Sequence, residues 1–483
     1  MKKILPSSVS YLFKYLLSGA VGGVLLALVI AVRFLNDKPD LEIWHTAELN
    51  EEYTAESKVA TFADYLALED RLFTQLDELV VTPKSNDPAK WADRYSNQSY
   101  ADATSWESNW NRSFELIHEA PTCGVLLLHG LTDAPYSLRR LGQRLHAEGA
   151  YVVGLRIPGH GTAPAALTQT SWQDMAAAVG LAMRHLKSAV NEQPLHAVGY
   201  SHGGALSIRY ALDCLADQSL PVLENMVLVS PEIGITSLAK FAIWQKRFSY
   251  LLGMAKLQWQ IIAPEYDPYK YQSFPVNAAA VAYQLTILNR EELRKLEGDS
   301  RLMSFPRVLA FQSVVDTTVE MSALVRDFFG RLPEAGHELV FYDINRNSQV
   351  EPLLIQGKVP NLEPLISDPQ RDYKLSVVRN ESPGTQSVAV YSYAPSLHES
   401  EVLALGYGWP ATVYSLSHVA LPFHRDDPLY GAGPQKNPER IHLGAIAVRG
   451  EKGVFAIAAG DMLRQRWNPF YDYQEARIVE HLK

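Results

Sequence analysis

From Ser113 onward the chain alternates short apolar runs with longer amphipathic stretches, and this alternation narrows the possible folds more than any other feature. The apolar runs are "GVLLLHG", "AYVVGLRIPGHG", "LHAVGYS", "MVLVSPE", "VLAFQS" and "ELVFYDI". Between them lie "YSLRRLGQRLHAEG", "SWQDMAAAVGLAMRHLKSA" and "HGGALSIRYALDCLA", all with apolar residues at helical spacing. Strands alternating with helices imply an α/β fold, a mainly parallel central sheet flanked by helices on both faces. Ligands of such sheets bind outside the carboxyl ends of the strands, and several of these runs end in Gly, His, Ser or Asp. Two stretches break the rhythm. Residues 235–303 are aromatic-rich and helical in texture, which suggests a helical cap over that edge. Residues 345–410 read as a second insertion of loops plus a hairpin, "YKLSVVRN" and "QSVAVYSYA", joined across "ESPGT".

The domain expected from this texture covers 113–483. Before it, 36–112 form an N-terminal extension, with an amphipathic helix in "KVATFADYLALEDRLFTQLDELV" and a polar surface loop in "NDPAKWADRYSNQSYADATSW". Residues 1–35 contain "YLLSGAVGGVLLALVIAV", an uncharged run from Tyr15 to Val32 whose 18 residues just reach across a bilayer core as a helix. Lys2, Lys3 and Lys14 precede it, while Arg33 and Lys38 follow. That balance predicts an uncleaved signal anchor with a cytoplasmic N-terminus and the body outside, facing the periplasm if the cell is Gram-negative. A net charge of −9 and the lack of a Lys/Arg-rich run argue against a nucleic-acid partner. Two cysteines, Cys123 and Cys214, are too few for a disulfide framework and are expected as buried thiols.

The chemistry centres on Gly199-Tyr200-Ser201-His202-Gly203. A strand-like run meets a helix-like run there with no room for a long loop. Glycines two before and two after let the backbone turn sharply and expose the Ser201 hydroxyl. A serine hydroxyl is a poor nucleophile until a base takes its proton, so a histidine and an orienting acid are required. Asp316, in the loop after "PRVLAFQS", is the first choice of acid, and Asp343, ending "LVFYD", the second. His418 is the expected base, delivered by the apolar run "ATVYSLSH". His337, His398 and His424 are less well placed. Backbone N–H groups of Leu131, after "VLLLHG", and of His202 are the expected donors to an oxyanion. His129 is expected to hold its loop rather than to react, and His160 to stabilise its glycine turn.

The segments "LLLHGLTDAPYSLRRLGQRLHAEGAYVVGLRIPGHGTAP", "GYSHGG" and "SVVDTTV" together resemble the α/β-hydrolase fold serine esterases. The nearest branch is the carboxylesterase, monoacylglycerol lipase and serine aminopeptidase-like group. The resemblance spans roughly 113–319. It implies a Ser201–Asp316–His418 triad that hydrolyses small or lipid-like carboxylic esters through an acyl-enzyme intermediate, without metal or organic cofactor. No HExxH, CxxC, P-loop or GxGxxG motif speaks for one. The sequence departs from the branch in spacing: 102 residues separate Asp316 from His418, where the branch has few. A catalytically silent hydrolase fold, used as an interaction module at the membrane surface, is the alternative.

Overall fold

The computed structural model of the protein describes residues 37–234, 254–347, 351–355, 357–444 and 459–483, with 11, 15–19, 21–23 and 33 of the N-terminal stretch. In chain order the strands are β1 (Phe114–Leu116), β2 (Cys123–Leu128), β3 (Ala150–Leu155), β4 (Leu195–Tyr200), β5 (Asn225–Val229), β6 (Trp259–Ile261), β7 (Phe274–Pro275), β8 (Arg307–Ser313), β9 (Glu338–Tyr342), β10 (Lys374–Asn380), β11 (Ser387–Tyr393) and β12 (Ser400–Gly408). Strands β6 and β7 form a separate antiparallel pair. The other ten make one sheet in the order β1-β3-β2-β4-β5-β8-β9-β10-β11-β12. From β3 to β10 every neighbour is parallel, while β1, β11 and β12 pair antiparallel at the edges.

Strands β2 to β5 are buried at every position, the pattern of a sheet covered on both faces. The pleat sends alternate residues to opposite sides. Leu126, Leu128, Met226 and Leu228 join one apolar core with the helices Trp172–Val190, His202–Ala216 and Val276–Leu296. Val125, Leu127, Val227 and Val229 join a second core with Arg139–Ala147 and Tyr471–His481. Local chemistry agrees with these elements. Ser171 and Asp174 form a reciprocal capping box at the start of Trp172–Val190.

The extension helix, Phe62–Leu79, starts at a Thr61/Asp64 capping box and buries Tyr65, Leu68, Leu72, Phe73 and Leu76. Its anchor on the sheet is Arg156, just after β3, whose fully buried side chain pairs with Glu69 and Glu52, each at 3.0 Å. The polar stretch that follows lies on the surface only in part. Tyr95, Ser96, Ala101 and Asp102 are buried, and the Tyr95 hydroxyl donates to the Thr162 carbonyl at 2.8 Å. The aspartates explain the difference. Asp93 accepts from the Tyr95 N–H, and Asp102 from those of Gln98 and Thr104, so local turns satisfy the backbone without water.

The expected membrane anchor, and the placement of the body beyond a membrane that rested on it, must be corrected. Among the described residues no helix is long and apolar enough to cross a membrane. Of the run Tyr15–Val32, the described parts are helical pieces at 15–19 and 21–23, and the remainder lies outside the described residues.

In the expected cap, residues 235–253 lie outside the described residues. The part from 254 contributes the β6–β7 pair and the helix Val276–Leu296, which packs on His202–Ala216. In the second insertion the hairpin is β10–β11, and β10 continues the main sheet parallel to β9. The run "ATVYSLSH" is not a strand. Asn345, just after β9, bonds to the carbonyls of Tyr414, Pro410 and Val413, which a ladder would otherwise use, and His418 opens a 3-10 turn. Cys123 and Cys214 are free and buried.

Candidate active site

Ser201 follows β4 directly at φ +54°, ψ −115°, a conformation that non-glycine residues rarely adopt and that cores hold only when the surroundings enforce it. Its N–H donates to the Val229 carbonyl at 2.9 Å, and the helix His202–Ala216 starts directly after it. The flanking glycines are required by close approach. A Cβ at Gly199 would sit 2.4 Å from the Gly203 carbonyl oxygen, and one at Gly203 would sit 2.1 Å from that of Leu128. The serine side chain faces a cavity of about 380 Å³ at the carboxyl edge of the sheet, which Leu131 and His418 also line.

The structure brings Ser201, His418 and Asp316 into one hydrogen-bonded chain. His418 Nε2 lies 2.9 Å from Ser201 Oγ, and His418 Nδ1 lies 2.9 Å from Asp316 Oδ2. Asp316 follows β8, and its other oxygen accepts from the N–H groups of Thr318 and Val319 at 2.8 and 3.2 Å. The Asp316 side chain is fully shielded from solvent. Burial alone would raise its carboxyl, but His418 and the two backbone donors outweigh it and hold the group below the ordinary carboxylate range. The imidazole of His418 is backed by the Tyr200 ring, with centroids 5.3 Å apart.

His202 opens the helix, so its N–H is among those with no partner inside the helix. Leu131 lies in the loop after β2, which presses on the nucleophile: a Cβ at Gly130 would come within 3.3 Å of the Ser201 Cβ. His129 clamps this loop. Its Nε2 accepts from the Ile157 N–H at 3.1 Å, so Nδ1 carries the proton and donates to the Gly130 carbonyl at 2.9 Å. Burial pushes its pKa down to about 3, which keeps the ring neutral. His160 is likewise buried, with Nδ1 3.0 Å from the Pro158 carbonyl.

The other candidates point elsewhere. Asp343 faces Arg346 at 3.5 Å. His337 accepts from the Val308 N–H, His398 lies by the Ile366 carbonyl, and His424 pairs with Asp472 at 3.1 Å. Several site residues escaped sequence reasoning. Glu232 lies 2.7 Å from His202 Nδ1, and its position at the end of the run "MVLVSPE" was the available signal. Asn345, which ties down the loop leading to His418, follows a strand end in the same way. Lys270 and Arg464, which also line the cavity, come from irregular segments and carried no signal.

Comparison with known proteins gives a concordant picture. Residues 119–333 match the model of the serine aminopeptidase S33 family. The thermostable monoacylglycerol lipase of Bacillus sp. (strain H-257) is 37% identical over 89 residues, 18% of this chain. The matched stretch spans 34% of that curated relative. Among solved structures, a monoacylglycerol lipase from Paleococcus ferrophilus is 17% identical with a TM-score of 0.37, over 48% of this chain and 89% of that one. A soluble variant of monoglyceride lipase from Saccharomyces cerevisiae is 16% identical with a TM-score of 0.36, over 48% and 82%. With its parallel sheet, its flanking helices and a serine on the turn after β4, the chain has the α/β-hydrolase fold, and over residues 119–333 its sequence is similar to the serine aminopeptidase S33 family.

Proposed function

We propose that the protein is a serine hydrolase of carboxylic esters. The observation that carries this reading is the unbroken chain from Ser201 Oγ through His418 to Asp316, opening on a cavity. His418 Nε2 takes the Ser201 proton as Oγ attacks the ester carbonyl, and Asp316 holds the ring's tautomer and stabilises the imidazolium. The N–H groups of Leu131 and His202 receive the developing oxyanion. His418 then gives its proton to the departing alkoxide, leaving an acyl group on Ser201. Water, deprotonated by the same imidazole, releases the acid and restores the serine. The similarity to a monoacylglycerol lipase over 89 residues supports acyl esters as the substrate class. The apolar wall of Phe274, Ala279 and Ala282 suits an acyl chain.

The test is active-site labelling with a fluorophosphonate beside hydrolysis of phenyl butyrate. Wild-type protein is expected to label and turn over. Ser201→Ala is expected to lose labelling, and Ser201→Ala and His418→Ala to lose about 10⁶ in turnover. Asp316→Asn is expected to lose about 10⁴. Folded wild-type protein that neither labels nor hydrolyses would overturn the proposal.

A further inference from the structure

The catalytic cavity is lined by two cationic side chains, Lys270 and Arg464, and by one acidic side chain, Glu232, which is engaged by His202 Nδ1 at 2.7 Å. Both also line an adjoining recess of about 70 Å³, together with Arg466. Among the described residues, none of these three has a carboxylate within 4.0 Å, unlike Arg139, Arg156 and Arg209 elsewhere in the fold. Arg464 Nη2 donates to Thr318 Oγ1 at 3.3 Å, in the loop that carries Asp316, and Arg466 donates to the Asp461 carbonyl at 3.1 Å. The acidic groups lining the recess are Asp133 and Asp461. Asp133 is occupied by the Ala134 N–H at 3.0 Å, and Asp461 is exposed. The recess lining thus carries three cations and two acids, with the buried Asp267 carboxylate behind Tyr430 acting on Arg466 and Asp133 on Lys270, which leaves Arg464, among the described residues, as the cation without an acidic neighbour of its own.

The recess also has a definite side. Tyr200 and Val419 line both spaces, and they flank His418, one through its ring and the other as the next residue. In the proposed reaction His418 must protonate the departing oxygen, so the alcohol part of the ester lies on this side. The apolar residues Phe274, Ala279 and Ala282 line the cavity but not the recess.

We infer that the protein selects esters whose alcohol part carries an anionic group, a carboxylate or a phosphate, received by Lys270 and Arg464. The inference rests on the ester-hydrolase reading above. In it the two cations are specificity-determining residues and take no part in bond breaking. A charge-assisted hydrogen bond to each distinguishes an anionic leaving group from a neutral one.

Three butyryl esters with a common acyl group test it on the full chain: phenyl butyrate, 4-(butyryloxy)benzoate and 4-(butyryloxy)phenyl phosphate. The quantity read is the ratio of kcat/KM for each anionic ester to that for phenyl butyrate. In wild-type protein at least one ratio is expected to exceed that of alkaline hydrolysis, and the ester that shows it identifies carboxylate or phosphate. Lys270→Met and Arg464→Gln should each lower that ratio about tenfold. Lys270→Arg should restore most of it, and thermal melting checks that each variant is folded. Ratios unchanged by the substitutions, or no anionic preference in a wild type that cleaves phenyl butyrate, would overturn the inference alone. A wild type that cleaves none of the esters and fails to label overturns the hydrolase reading instead.

Discussion

At the scale of single residues, the site depends on how closely backbone packs behind the nucleophile. Gly203 leaves no space for a side chain: an added Cβ would lie 2.1 Å from the Leu128 carbonyl oxygen, nearer than real atoms approach. Gly203→Ala must therefore push β2 and the following Gly130–Leu131 loop away from Ser201. Turnover of phenyl butyrate is expected to fall about a hundredfold or more, the size of effect seen when an oxyanion donor is lost. A second residue-scale prediction concerns His129, held neutral between the Gly130 carbonyl and the Ile157 N–H. Burial pushes its pKa in the folded chain down to about 3, below the ordinary imidazole value of 6.5. Between those values the unfolded chain takes up a proton that the folded chain refuses. The contribution is thus complete above pH 6.5 and declines as the pH falls, by at most about 1.4 kcal/mol per unit. Urea midpoints of wild type and His129→Asn should differ most near pH 7 and converge toward pH 5. A gap independent of pH would refute the assignment.

Among the elements, those with strong period were legible and those built from polar side-chain turns were not. Continuous apolar runs became β2 to β5, β8 and β9, because helices cover both faces of the sheet. Serine and aspartate at the ends of two such runs, Ser201 after β4 and Asp316 after β8, lie on one sheet edge as parallel topology requires. The apolar run before His418 has the texture of a strand, yet hydrogen bonds from Asn345 hold it as a loop. Edge strand β12 and the buried turns around Asp93 and Asp102 left no periodic trace. The Asn345 clamp carries its own prediction. Asn345→Ala should slow turnover of phenyl butyrate about tenfold with little change in KM, since the loop that positions His418 loses two tethers while the cavity wall stays in place. A matched rise in KM would instead indicate a disordered cavity.

For the whole molecule, the decisive question is whether the N-terminal extension is an appendage or part of the folding unit. Tyr53, Phe62, Tyr65 and Leu68 share one apolar core with Leu126, Leu128 and Val153 of the sheet, and Phe62–Leu79 packs on the helix Trp172–Val190 that covers β2 and β3, so detaching the extension would expose part of that core to water. Arg156 reinforces the same seam. Its guanidinium is fully buried between Glu69 and Glu52, and burial raises the Glu69 carboxyl against the pull of the arginine. Removing the cation leaves a carboxylate shielded from water without its partner, a change that costs about 3–5 kcal/mol. Arg156→Met should therefore lower the urea midpoint substantially, and adding Glu69→Leu should recover part of the loss because the stranded charge is gone. Four of the nine tryptophans, Trp44, Trp91, Trp106 and Trp110, lie in the extension, so fluorescence weights the extension more heavily than dichroism, whose helix and strand signal comes mostly from the hydrolase body. If the two unfold together, tryptophan fluorescence and far-UV circular dichroism will give coincident transitions in wild type and in Arg156→Met, displaced by the same amount. A fluorescence transition that moves ahead of the dichroism in the variant would mean that the extension opens first, held to the body by that ion pair alone.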